Sequence, residues 1–166
     1  MDTIAVISTA LQQSAISLIR VSGSEAISMV NGVFSRDLLS QQSHTVQYGY
    51  IVDENGEKID EVLVTVFRAP KSYTKEDIVE ISCHGGPFIT RRVLALVLSQ
   101  GARLALPGEF TQRAFLNGRI DLAQAESIQD LLEATNGDQS SIAMNGLRGS
   151  VKTLVDPFLE GLVQII

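Results

Sequence analysis

"IDEVLVTVFRAPKSYTKEDIVEISCHGGPF", residues 59–88, is the stretch that decides the architecture. Ile59–Phe67 is rich in β-branched residues, and its core "VLVTVF" is apolar on both faces, which predicts a strand near the middle of a covered sheet. The polar segment "RAPKSYTKED" (68–77) reads as a loop, and Ile78–His84 reads as the next strand. "HGGPF" then turns the chain into a helix, with Pro87 suited to the first position, where a missing N–H costs nothing. That helix extends to about Gln100 and stops at Gly101. Strands, a hairpin and flanking helices in this order predict an α+β fold built on a mixed β-sheet.

Toward the N-terminus, Val46–Val52 and Ile59–Phe67 flank Asp53-Glu54-Asn55-Gly56, a hairpin signal. Thr3–Thr9 and Ala15–Val21 read as strands. Ser24–Phe34 reads as a helix with Ser22 or Ser24 as its cap and Ile27, Val30 and Phe34 at helical spacing. Ser35–Ser43 is a polar loop. Toward the C-terminus, "PGEFTQRAFLNGRIDLAQAE" (107–126) holds a short helix that Phe110 and Phe115 would anchor, and then an Asn-Gly turn. Asp121 and Gln124 form an approximate capping box for a helix whose Leu122, Ala125, Ile128 and Leu132 share a face, with Asn136-Gly137 as its stop. Met144, Leu147, Val151, Leu154, Phe158 and Ile165 keep near-heptad spacing, and Pro157 should kink that run. The closing "LVQII" leaves an apolar stripe, as expected of a front piece of a longer protein or of a chain covered by a partner.

The 166 residues are 45% apolar and 19% charged, enough to bury a core, with no apolar run near the ~20 residues that span a bilayer. A single cysteine, Cys83, excludes an internal disulfide, and two distant histidines, His44 and His84, offer no transition-metal site. These features suit a cytoplasmic globular protein without a membrane partner. The net charge of −6 opposes broad attraction to nucleic acid. Charge is segregated, however: Gly85–Ile120 carries five arginines against Glu109, and the residues from Asp121 onward carry seven acids against Arg148 and Lys152. The switch suggests two units with their boundary inside residues 107–126.

Three features carry chemistry. Cys83 and His84 are neighbours, but adjacent strand residues point to opposite faces, so Cys83 joins Val79 and Ile81 on the apolar side while His84 joins Glu80 and Ser82. A thiol nucleophile with His84 as its base is therefore disfavoured, and no catalytic residue is assigned. Glu80 sits in an apolar strand, and Arg20 alternates with Ile16 and Leu18 on another. The pair is either an inter-strand salt bridge or a polar pocket in which Arg20 binds an anion and Glu80 accepts two parallel N–H bonds from a heterocycle. No G-x-x-x-x-G-K-[ST] occurs, so GTP or ATP binding by a phosphate loop is excluded for this chain.

"IAVIST", "IRVSG" (19–23), "APKSYTKEDIVEISCHGGP" (69–87) and "PGEFTQRAFLNGRIDLAQAESIQDLLEA" (107–134) together resemble one family, the tRNA uridine-modification GTPases MnmE/TrmE. The resemblance implies an N-terminal domain over 1–118 like the folate-binding aminomethyltransferases, then the start of a helical domain over 119–166. It also implies homodimerisation and a bound 5-formyl-tetrahydrofolate that Arg20, Glu80 and Arg119 would contact. The GTPase domain, with its GTP, Mg and K, falls outside these residues. In the family, an FAD protein (MnmG, or GidA) and tRNA are the further partners, and the product is an aminomethyl-type group on C5 of the wobble uridine. Two departures stand out. "ALQQSAIS" (10–17) lacks the family's glycines, and Arg119 stands where lysine is common. The other reading of the chain is a dimerisation module that binds no folate.

Overall fold

The computed structural model describes residues 1–149. The chain divides into two compact units, Met1–Phe110 and Thr111–Ile166. The first holds β1 (Ile4–Ile7), β2 (Ile16–Ser22), α1 (Ala26–Asn31), β3 (Thr45–Val52), β4 (Lys58–Phe67), β5 (Ile78–His84), α2 (Pro87–Ser99) and β6 (Arg103–Leu104). Its six strands form one sheet in the order β3-β4-β5-β2-β1-β6, antiparallel except for the β1–β6 pair. The expected α+β fold with a mixed sheet is what the chain adopts. β6 has no signature in the sequence, because two residues carry no alternation.

One face of the sheet is the core. Ile19 and Val21 of β2, Val62, Val64 and Val66 of β4, and Val79, Ile81 and Cys83 of β5 pack there against Ala26, Ile27 and Val30 of α1 and Val93 and Val97 of α2. Alternate residues face the other side, which is open over β3, β4 and the adjoining ends of β5 and β2. Tyr48, Leu63, Ser82 and Leu18 form one row across it by register. The expectation that "VLVTVF" is covered on both faces is therefore corrected. β4 is second from the edge, and Leu63 is 48% exposed.

The helix of residues 24–34 is shorter than its periodicity suggested. Its N-cap is Glu25, without a side-chain cap, and neither Ser22 nor Ser24 serves. Ser22 is instead the last residue of β2 and bonds Thr74 and Glu76. The Asp53 hairpin forms as expected: Asp53 Oδ1 accepts from the N–H groups of Asn55 and Glu57, and Gly56 takes the left-handed φ of 77°. α2 begins at Pro87 and gives way to Gly101 at φ 106°. The loop 10–17 turns without any left-handed residue, so its lack of glycine brings no backbone strain.

α3 (Glu109–Leu116) begins at the end of the first unit, and α4 (Leu122–Glu133) and α5 (Gly137–Leu147) belong to the second. Phe115 is 42% exposed. Asp121 and Gln124 form both arms of the capping box of α4. Asn136, expected to stop this helix, instead caps α5 by accepting from Gln139 N–H. Leu122 and Leu132 are exposed, so the inward face of α4 is set by Ser127 and its partly buried neighbours, not by the leucine stripe. Val151, Leu154, Pro157, Phe158 and Ile165 lie outside the described residues.

Candidate functional site

β2 and β5 run antiparallel with Arg20 directly opposite Glu80. Both residues point to the open face, out of phase with the core residues Ile19, Val21, Val79 and Ile81. Arg20 Nε and Nη2 both donate to Glu80 Oε1, at 2.8 and 2.6 Å. The two side chains are 29% and 21% exposed, a half-buried ion pair within reach of a ligand. Because both contacts fall on Oε1, Oε2 is not engaged by the arginine.

Two aromatic rings flank the guanidinium: its Cζ lies 5.8 Å from the Tyr73 ring centroid and 5.7 Å from that of Phe110. Such cation–π contacts contribute about 0.5–2 kcal/mol each, depending on desolvation. Tyr73 is carried by the loop 68–77, which is pinned at several points. Ser22 Oγ bonds Thr74 at 2.7 Å and Glu76 at 2.8 Å, and Ala69 N–H bonds Asp77 at 2.8 Å. Phe110 comes with the start of α3, where Glu109 accepts from Arg103 at 2.6 and 3.1 Å and from Leu106 N–H at 2.8 Å.

Strand alternation puts Arg20 and Glu80 on the face opposite the core, and the structure brings them into contact. Tyr73 and Phe110 are not legible in the sequence as neighbours of Arg20, since a loop residue and a helix start carry no periodicity that points at it. Arg119 belongs to the second unit, exposed in the turn between α3 and α4, with its N–H bonded to Ala114 at 2.8 Å.

A second cluster sits at the far end of β5. His84 Nδ1 lies 2.6 Å from Asp60 Oδ1, and the His84 backbone N–H donates to Asp60 Oδ2 at 2.9 Å. The imidazole is 68% exposed and the carboxylate only 8%. The hydrogen bond and charge of Asp60 raise the His84 pKa above its usual 6.5. Cys83 behaves in the opposite way to a nucleophile: burial, with Asp60 nearby, pushes its thiol up to about 11. Among the described residues no group of three or more His, Cys, Asp or Glu side chains is placed to hold a metal, and no helix is long and apolar enough to cross a membrane.

A mixed sheet with helices packed on one face and a charged pair on the other defines an α+β scaffold. The profile described as "GTP-binding protein TrmE N-terminus" matches residues 3–119. The chain is 51% identical over 167 residues to the tRNA modification GTPase MnmE of Lacticaseibacillus paracasei, covering 99% of this chain and 36% of that protein. It is 49% identical to the protein of the same name from Bacillus cytotoxicus and 48% identical to that from Lactiplantibacillus plantarum, with the same coverage. The chain belongs to the TrmE/MnmE family and corresponds to its N-terminal part, spanning about a third of the length of these relatives.

Proposed function

We propose that this chain is the folate-binding and dimerisation module of a tRNA-modifying GTPase of the MnmE type, one that acts on C5 of the wobble uridine. The observation that carries the ligand reading is the Arg20–Glu80 pair, presented on an open sheet face between Tyr73 and Phe110. The residues fit a reduced folate such as 5-formyl-tetrahydrofolate. Glu80 has a carboxylate oxygen that Arg20 leaves unengaged, suited to the adjacent amino and ring N–H donors of a pterin. Arg20 fixes Glu80 in place and keeps further N–H groups for a carboxylate or formyl oxygen. Arg119 is assigned a second anionic contact on the family resemblance alone. The bound folate supplies the one-carbon unit; the protein supplies binding and orientation. GTP, Mg and K, the FAD protein MnmG and tRNA would engage the longer protein.

Calorimetry with 5-formyl-tetrahydrofolate tests the reading. Glu80→Gln keeps the side chain's size but replaces one acceptor with an N–H₂, and should weaken binding at least about tenfold, equivalent to ~1.4 kcal/mol. Arg119→Ala is a separate arm that tests its assignment. No binding to the unaltered chain, or equal affinity in Glu80→Gln, would overturn the folate reading. A dimer found by sedimentation under those conditions would leave the second reading, an assembly module without ligand.

A further inference from the structure

The far end of the open sheet face carries a different surface. Glu80 precedes His84 by four residues on β5, about 13 Å along the strand at ~3.3 Å per residue. A depression of about 320 Å³ opens there, walled by Ile16, Tyr48, Glu61, Leu63, Ser82 and His84. Ile16 and Leu63 are large apolar side chains left in water, 60% and 48% exposed. The Tyr48 hydroxyl lies 3.3 Å from that of Tyr50, and Tyr50 and the nearby Glu61 carboxylate raise the Tyr48 pKa. Residues 53–61 (DENGEKIDE) hold five acids against Lys58, a local charge of 1 − 5 = −4. With Nδ1 bound to Asp60, His84 leaves Nε2 to solvent.

We propose that this depression is a docking socket for an arginine side chain of a protein partner, with the aliphatic stem on Ile16 and Leu63 and the guanidinium on Glu61. Charge complementarity selects the occupant. Glu61 is the acid that walls the depression, Asp53 and Asp60 of the same segment being paired with Arg92 and His84. With this acidic segment beside it, a basic partner is attracted where an anionic or nucleic-acid one is repelled. The planar fork of arginine carries five donors and no acceptor, and matches a carboxylate in two parallel bonds. A lysine ammonium is a compact point charge that uses this arrangement less well. Neutral His84 offers Nε2 as a further acceptor, while the imidazolium presents an N–H to an incoming cation. The groups facing His84 are Asp60 and Glu61 of β4, and Cys83 is buried. Tyr50 of β3 is paired with Glu61 and has the Lys58 ammonium 3.9 Å from its ring centroid. Tyr48 stands in the neighbouring row with the Arg36 guanidinium 5.7 Å from its ring centroid. Docking therefore tightens as His84 loses its proton.

The test is a titration of the ¹⁵N-labelled chain with N-acetyl-argininamide, against N-acetyl-lysinamide and N-acetyl-norleucinamide. The amide shifts of Glu61, Leu63 and His84 should move, most tightly for arginine and least for norleucine. Glu61→Gln should weaken the arginine probe about fivefold, with amide shifts elsewhere unchanged as proof of folding. Between about pH 5.5 and about pH 8 the unaltered chain should bind more tightly with rising pH, and His84→Gln should lose that slope. Shifts scattered over the surface, equal affinity for the three probes, or indifference to Glu61→Gln would overturn the socket. A slope that persists in His84→Gln would overturn the role of His84.

Discussion

Arg20 and Glu80 are each costly alone on a half-buried strand face, and each removes the other's cost by pairing across β2 and β5. Their side-chain direction was legible, because alternation along a strand dictates it. Their pairing was not, because register is set by long-range contacts between segments 60 residues apart. His84 illustrates the same limit. Its face could be read, but Asp60 lies in another strand and nothing local ties the two. The consequence for stability has a definite sign. The folded pKa of His84 is raised above the unfolded 6.5, so the Asp60 contact contributes fully below that value and is lost as pH rises through the folded pKa. Denaturant midpoints of the unaltered chain and His84→Gln should differ more at about pH 5.5 than at about pH 8. An equal difference at both would show that the charged form of His84 is not favoured by folding.

At the scale of elements, the hydrophobic pattern exposed most of the sheet and α2, while the ends depended on contacts invisible in one dimension. Asn136-Gly137 is the clearest case. The same dipeptide suits a helix stop or the cap of the next helix, and only the Asn136–Gln139 bond distinguishes them. "VLVTVF" misled for a related reason: an apolar run does not say how many faces are covered. Gly85 is a position where an element junction depends on one atom. The β1–β2 connection is fastened to the β5–α2 turn by Ser14 N–H to Gly85 oxygen at 3.0 Å and Gly85 N–H to Ala15 oxygen at 3.3 Å. A Cβ on Gly85 would lie 2.4 Å from the Ser14 carbonyl oxygen, and backbone cannot swing away as a side chain can. Gly85→Ala should therefore cost about 1–3 kcal/mol, measured by urea unfolding. It should also weaken hydrogen-exchange protection at Ser14 and Gly85. A variant as stable as the parent would mean that the connection moves freely over the turn.

For the whole molecule, charge decides how two copies can meet. Each chain carries −6, so bringing two together costs electrostatic work that mobile ions reduce. Against this stand the +4 of residues 85–120 and the −5 of the residues from Asp121 onward, which could pair across copies. The first effect scales with the square of the total charge and acts in every orientation; the second needs a particular one and places exposed ion pairs of small worth in contact. If the proposed dimer forms by burying apolar surface, the like-charge cost dominates its salt response. Sedimentation velocity should then show dimerisation tightening between about 20 mM and about 300 mM salt, as the Debye length falls from roughly 20 to roughly 6 Å. Binding to nucleic acid responds in the opposite direction, because salt competes with phosphate contacts. A dimer that dissociates as salt rises would place the basic and acidic segments against each other across the interface. The association would then be held by complementary charge in place of buried apolar area.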